Sequence, residues 1–412
     1  MLHFLTQKLL LYSGCAIPSI IFFLLTKNQN IKHVNSSPPD WLLILIGFSE
    51  VFIPIAYNAY GSVLDRVIVA VMAVVMTSGM FIYIHNRHQT PEGEEIHPFY
   101  EILANWNQSA TKAVESVTEK KDKKDETSLS QIRLDAFKFL LRAIAYTIIY
   151  IPVFSTMDGF VRTCQEPPEV FTNSPYLYRL FKAPIPLASI MYYIWLGITF
   201  TLHIALIPLV HLLTHAIQLN IIAWMPTVNH KILRRLHREL ANFVAQPPLF
   251  NKPWLTRSVY DLWSRRWHQI FRPGFHQIAY NPIRRLFGKE HKVLGRLIGT
   301  IAVFACSGAM HDYIMLVMLG YSNWKAPGML GYQTLFFFLQ SLATIVSAIS
   351  PKLPSWLART LTWLWVLYTA PFFVEPYIRI GLHKYVQVPG FPKFMDEPIR
   401  AICPYGPREF LQ

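Results

Sequence analysis

Apolar residues along this chain arrive in continuous blocks instead of at amphipathic spacing. Eight stretches, near 7–26, 41–57, 66–86, 136–156, 187–218, 293–319, 331–350 and 356–375, approach or exceed the ~20 residues a helix needs to cross a bilayer. Lipid offers no partner to a bare peptide group, so each block must satisfy its own N–H and C=O groups, which a helix does within one segment. The pattern predicts an all-α fold: a polytopic transmembrane helical bundle of about eight membrane helices, read as a single membrane-embedded domain over 1–412. Two polar stretches interrupt it, a flexible loop at 87–135 holding the mixed-charge run Glu119–Glu126 and a basic loop at 226–292. The first block contains Lys8 but is long, and no small-residue cleavage pattern follows before Asn28, so it reads as a membrane helix and not as a signal peptide.

Charge orients the bundle. The net charge is +14, which on its own would invite a nucleic-acid partner. Between Pro226 and Arg296, however, fourteen Lys and Arg residues face only Glu239, Asp261 and Glu290. An excess confined to one loop between apolar blocks is the positive-inside signature, so the loop is cytosolic and no nucleic acid is implied. Alternation then makes 157–182 lumenal, 87–135 cytosolic and the N-terminus lumenal. Prolines 247, 248, 253, 273 and 282 break the basic loop, so no single long helix is expected there. The aromatic residues between them suit a membrane–water boundary, and a loop that only holds topology is the plainer alternative.

Four cysteines are too few for a disulfide framework, and no CxxC pair occurs. Cys15 and Cys306 lie in apolar blocks. Cys164 and Cys403 lie in loops, and the sequence leaves open whether they meet on the lumenal side.

Polar groups kept at hydrocarbon depth are candidates for function. His311 and Asp312 sit far inside the block 293–319. Adjacent helical residues point about 100° apart, so His311 shares its face with Ser307, Gly308, Ile314 and Met315. That places the imidazole over a cavity floored by small side chains, with Asp312 pairing to a neighbouring helix or supporting the fold. A neutral imidazole in a dry pocket can take a proton from an alcohol; a buried histidine bonded to a carbonyl is the alternative. His211 and His215 have the i, i+4 spacing of two metal ligands, but no HxxHH box accompanies them, so no metal is expected. GxSxG, Walker and GxGxxG motifs are absent as well.

The basic loop adds Pro247-Pro248-Leu249-Phe250-Asn251-Lys252-Pro253-Trp254, then Ser258-x-x-Asp261-Leu262-Trp263-Ser264-Arg265-Arg266-Trp267-His268-Gln269. With Ser307-Gly308-x-x-His311-Asp312 about forty residues on, this resembles the wax synthase-like branch of the membrane-bound O-acyltransferase superfamily. There a loop of the form S-x-x-D-F-W-G-R-R-W precedes a membrane helix carrying a histidine. Leu262 replaces the Phe and Ser264 the Gly. His268 stands as in fungal members, where plant wax synthases have Asn. The likeness covers some 60–70 residues.

The resemblance implies a buried reaction chamber reached by acyl-CoA from the cytosol and by a lipophilic alcohol from the bilayer. His311 and His268 would be the catalytic pair, His311 as base, with Asp312, Ser307 and Gln269 in support. His268 or Gln269 would donate to the oxyanion. Arg265 and Arg266 would meet coenzyme A phosphates, or lipid headgroups, while Asp261, Trp263 and Trp267 would be structural. No permanently bound cofactor is implied, only acyl-CoA as co-substrate. The fungal form of the motif points to acetyl transfer onto a terpenoid or meroterpenoid alcohol in secondary metabolism; a wax ester synthase is the runner-up. A transporter using His311 and Asp312 as a relay is the reading from another class. The resemblance further implies a multi-pass protein of the endoplasmic reticulum.

The topology has a direct check. Both sequons, Asn35-Ser36-Ser37 and Asn107-Gln108-Ser109, face the cytosol and stay unglycosylated; a glycosidase-sensitive gel shift lost in Asn107→Gln would overturn it.

Overall fold

The computed structural model describes residues 2–26, 38–89, 128–172, 175–182, 184–225, 230–245, 248–351, 353–385 and 393–408. Both sequons and the run Glu119–Glu126 lie outside them. All eight apolar blocks lie in helices: α1 (Leu2–Thr26), α2 (Asp40–Ala56), α3 (Val63–Gln89), α4 (Leu129–Thr163), α5 (Leu187–Trp224), α7 (Lys292–Trp324), α8 (Tyr332–Ile349) and α9 (Ser355–Arg379). A further helix, α6 (His230–Ala245), lies in the basic loop. No strand occurs among the described residues, only an isolated bridge between Cys164 and Pro407. The protein is all-α and polytopic. Six helices (α1, α3, α4, α5, α7 and α8) are long and apolar enough to cross a membrane; α2 has 17 residues, and α9 carries Arg359, Glu375, Pro371 and Pro376.

The helices outrun the hydropathy blocks. At 35 and 38 residues, α4 and α5 exceed a bilayer span, because their ends are amphipathic and mean hydropathy falls before the helix does. The polar loop expected at 87–135 is shorter at both ends: α3 continues to Gln89, and Ser128 Oγ caps α4 by accepting from Gln131 N at 3.2 Å.

The chain folds as two compact units. One holds residues 1–109, 173–179 and 250–376; the other holds 110–172, 180–249 and 377–412. In the first, α1, α2 and α3 pack through Phe22, Leu43, Ile46, Met80, Tyr83 and Ile84. Ala70 of α3 packs on Met310, Ile314 and Val317, one face of α7. Gly320 interrupts α7 at φ +72°, which only glycine adopts cheaply. Nearby, the Arg66 guanidinium donates to the Met318 carbonyl at 2.8 Å, satisfying an acceptor near the break.

In the second unit α6 folds back on α4 and α5. Its Leu233 and Leu240 join Ile132, Ala136, Ala143, Leu212, Ala216, Leu219 and Ala223 in one core, while Arg234, Arg235 and Arg238 are exposed. No single long helix spans the basic loop, as expected, although α6 was not foreseen. The proline breaks begin only after α6, and an apolar stripe set among arginines leaves the mean hydropathy low.

The C-terminal tail is fastened to the end of α4. Cys164 is disulfide-bonded to Cys403, and Arg162 reaches Asp396 at 2.6 Å. Glu166 takes Arg408 at 2.6 Å, Lys384 at 2.7 Å and His383 at 3.1 Å. Burial raises the Glu166 carboxyl, but the His383 and Lys384 hydrogen bonds and the Arg408 charge outweigh it and bring it to about 2. A disulfide of this kind persists in an oxidising compartment. The protein should therefore migrate faster on non-reducing than on reducing gels, and Cys403→Ser should abolish the difference. The same variant should lose about 2–4 kcal/mol of stability, measured as a lower Tm in detergent; identical migration would remove the disulfide.

Candidate active site

The motif loop folds by rules its own sequence supplies. Ser258 caps a short turn, its Oγ accepting from Asp261 N at 2.9 Å, and Asp261 Oδ2 accepts from Arg257 N at 3.0 Å. This is a Ser-x-x-acid capping arrangement, two orphan donors met by two side chains. Asp261 Oδ2 also takes Arg266 Nε at 2.6 Å, and Arg266 Nη1 donates to the carbonyls of Lys252 (3.3 Å) and Asn251 (3.4 Å). Asn251 N in turn donates to Arg266 O at 2.8 Å. Arg266 is thus a staple between two segments of the loop, with its charge met by Asp261. That speaks against the coenzyme A role expected of it; Arg265 is the exposed member of the pair.

A π-helical turn over Leu262–Arg266 follows, and such turns re-aim side chains. Trp263 packs against Phe304 of α7 and against Phe336 and Phe337 of α8, with ring centroids 5.9, 6.2 and 6.0 Å away. Its Nε1 donates to Gln340 Oε1 at 3.3 Å, and Gln340 Nε2 donates to Thr369 Oγ1 of α9 at 2.7 Å. One tryptophan therefore links the loop to three helices. Trp267 packs edge-on against Phe250 at 5.1 Å.

His268 sits at φ +46°, ψ +53°, left-handed backbone that a side-chain-bearing residue enters at a cost of about 1–3 kcal/mol. Its ring stacks on Phe271, centroids 5.1 Å apart and 12° from parallel, with Phe250 at 5.7 Å. Gln269 Nε2 donates to Trp267 O at 2.8 Å, closing the turn beneath His268. That engages a donor expected at the reaction centre. Burial pushes the His268 imidazole down from 6.5 to about 4, against a smaller opposing pull from a backbone hydrogen bond. It is neutral near pH 7, with one N–H to donate.

The second element, Ser307-Gly308-x-x-His311-Asp312, divides its residues by helical face. Gly308 and Asp312, one turn apart, both meet the first turn of α8. The Asp312 carboxylate accepts from Thr334 Oγ1, and from Thr334 N at 3.3 Å. A Cβ on Gly308 would come within 2.6 Å of Thr334 Cα. The acid caps the helix N-terminus, where negative charge is favoured, and the glycine lets the two backbones meet.

His311 lies between that face and the one packed on α3. Its ring stacks on Phe337 at 5.0 Å and 17°, with the ring of Phe373 edge-on at 5.0 Å and 78°. The expected floor of small side chains is corrected: Gly308 is occupied by helix packing, and aromatic rings flank the imidazole. Ser307 is half-buried one turn away. His268 and His311 lie within electrostatic reach of each other. Loop and helix thus bring the two histidines to one place, with Trp263 as the shared brace and Asp312 turned to α8.

Sequence reasoning missed Thr334, Phe337, Phe373 and Gln340. Gln340, an amide inside an apolar block, carried a readable signal; the phenylalanines looked like any lipid-facing run. His203, His211 and His215 belong to the other unit. There His203 Nε2 is 3.7 Å from Asp158, and the rings of His211 and His215 stack at 3.9 Å.

Residues 246–339 match the model of the membrane bound O-acyl transferase family. The chain is 30% identical over 106 residues, 26% of its length and 30% of the relative's, to Probable long-chain-alcohol O-fatty-acyltransferase 7 of Arabidopsis thaliana. It is 28% identical over 107 residues, 26% of its length and 28% of the relative's, to Long-chain-alcohol O-fatty-acyltransferase of Simmondsia chinensis. It is also 27% identical over 137 residues, 31% of its length and 38% of the relative's, to Acyl-CoA--sterol O-acyltransferase 1 of Arabidopsis thaliana. In these three the chain spans about a third of the relative's length.

The depressed His268 pKa sets a pH dependence. The folded ring stays neutral down to about 4, whereas the unfolded chain takes up the proton near 6.5. More protons are then bound in the unfolded state between those values, so this contribution to stability is lost as pH falls through that window. Between pH 6.5 and 4 the Tm of the wild type should fall more steeply than that of His268→Gln; parallel curves would mean that the imidazole is not held neutral.

Proposed function

We propose that this chain, whose residues 246–339 match the membrane bound O-acyl transferase family, transfers an acyl group from acyl-CoA to the hydroxyl of a lipophilic alcohol. The observation that carries the reading is a histidine pair, His311 inside an apolar helix and His268 on the motif loop, braced by one tryptophan. His311 accepts the alcohol proton as the oxygen attacks the thioester carbon. The C–O bond forms, the C–S bond breaks, and the proton passes to the leaving thiolate, which departs as free coenzyme A. The neutral His268 ring donates its N–H to the carbonyl oxygen as negative charge gathers there. The exposed Arg265 meets a phosphate of coenzyme A. No acyl-enzyme is required, and no metal or permanent cofactor enters the step.

We take the donor to be acetyl-CoA and the acceptor a bulky terpenoid or meroterpenoid alcohol, on the Arg-Arg-Trp-His form of the motif, in the membrane of the endoplasmic reticulum. A wax-ester reading, with a long acyl chain and a fatty alcohol, is favoured instead by the names of the relatives.

The protein in lipid nanodiscs, given labelled acetyl-, octanoyl- and palmitoyl-CoA with a terpenoid alcohol, a sterol or hexadecanol, should form ester and free coenzyme A one for one. His311→Ala should lower turnover by about 10²–10⁴ at unchanged Tm and yield. Ester formation that survives His311→Ala, or no ester from any pairing, would sink the proposal.

A further inference from the structure

We infer that Phe337 and Phe373 form the wall that ends the acyl pocket beside His311 and restricts the donor to short acyl groups. The inference rests on the acyl-transfer reading and deepens it. It starts from three rings that support one another. Phe337 lies flat against the imidazole and Phe373 meets it edge-on, both with centroids at 5.0 Å. Phe336 touches each of them at 5.1 Å, and they touch each other at 5.8 Å. Each ring is therefore hemmed in by the other two, and Phe336 and Phe337 are 5% and 6% exposed.

The triangle is also braced from outside. Trp263 of the motif loop presses on Phe336 and Phe337, and its indole is tied through Gln340 to Thr369 of α9. Phe336 and Phe337 ride on α8, whose position along α7 is fixed by the Asp312–Thr334 cap and the Gly308 contact. Rings held in this way do not swing aside for a chain without displacing packed neighbours, and overpacking a filled core is unfavourable.

The reaction makes this matter. The alcohol oxygen must lie within hydrogen-bond reach of the base and about 3–3.5 Å from the thioester carbon. The acyl carbon is therefore beside the imidazole, and whatever follows it must run past the ring or stop. On two sides of the ring the space is taken by phenyl groups. An acetyl group ends before it needs that space, whereas every added methylene competes for it. Truncating either phenylalanine opens room that only a longer acyl chain can fill.

The test reads a ratio within each preparation, so the folded fraction cancels. Wild type, Phe337→Ala, Phe337→Leu and Phe373→Ala in nanodiscs are given one accepted alcohol and acetyl-, butyryl-, octanoyl- or palmitoyl-CoA. The wild type should favour acetyl-CoA. The octanoyl-to-acetyl ratio of kcat/KM should rise about tenfold or more in both alanine variants, on the scale at which pockets discriminate methylenes, with Phe337→Leu between. Ratios that stay within about twofold of wild type, or a wild type that uses palmitoyl-CoA as well as acetyl-CoA, would overturn the wall and leave acyl transfer intact. No ester from any donor in the wild type would overturn both.

Discussion

A carboxylate inside a membrane helix is costly unless it is bonded, and Asp312 is bonded to one place, the first turn of α8. Its hydrogen bonds to the Thr334 hydroxyl and backbone N–H are of the charge-assisted kind, each contributing about 1.5–3 kcal/mol. They form only at one register, because Gly308, a turn earlier on the same face, must lie against Thr334 Cα. Slipping α8 by one turn would strand the acid and push side chains into backbone. The pair therefore fixes α8 along α7 and with it the placement of Phe337 on His311 and of Gln340 under Trp263.

The motif loop depends on that placement. Its own hydrogen bonds account for Ser258, Asp261 and Arg266, which cap and staple it, while Trp263 carries its attachment to the helices. Tyr260 N adds a bond to Ser347 Oγ of α8 at 3.0 Å. A loop with prolines and few regular turns would otherwise have many low-energy shapes. The strained backbone at His268 persists because the turns on either side are pinned, by the Arg266 staple before it and by the Gln269–Trp267 bond after it.

Much of this was legible in the sequence, and what was not has physical reasons. Eight apolar blocks give eight helices, six of them long and apolar enough, among the described residues, to cross a membrane. Cys164 and Cys403 stood in loops with their pairing left open, and the structure joins them. The depth of His311 and Asp312 marked them, and helical geometry separated their directions. What the sequence withheld was partner identity across distance. Thr334 lies 22 residues from Asp312, and no local rule names it. Arg266 reads as a free cation until the fold shows Asp261 beside it. Helix α6 is hidden because an arginine-rich face cancels its apolar stripe in any window average. The flanking of His311 by Phe337 and Phe373 was invisible, since a phenylalanine facing lipid and one facing a buried imidazole look the same in a hydropathy trace.

The two histidines sit in different surroundings, and the roles proposed for them follow that difference. His268 is held neutral by burial, its ring packed between Phe250 and Phe271. His311 takes its setting from a helix interior, with a phenyl face on one side and a phenyl edge on another. A donor for a developing oxyanion needs only one N–H and a fixed direction, which a pinned turn supplies. A base must hold a proton briefly and then release it to a thiolate, so it must not keep the charge. The aromatic setting of the helix histidine and the pinned turn of the loop histidine are what the proposed roles of base and donor rest on.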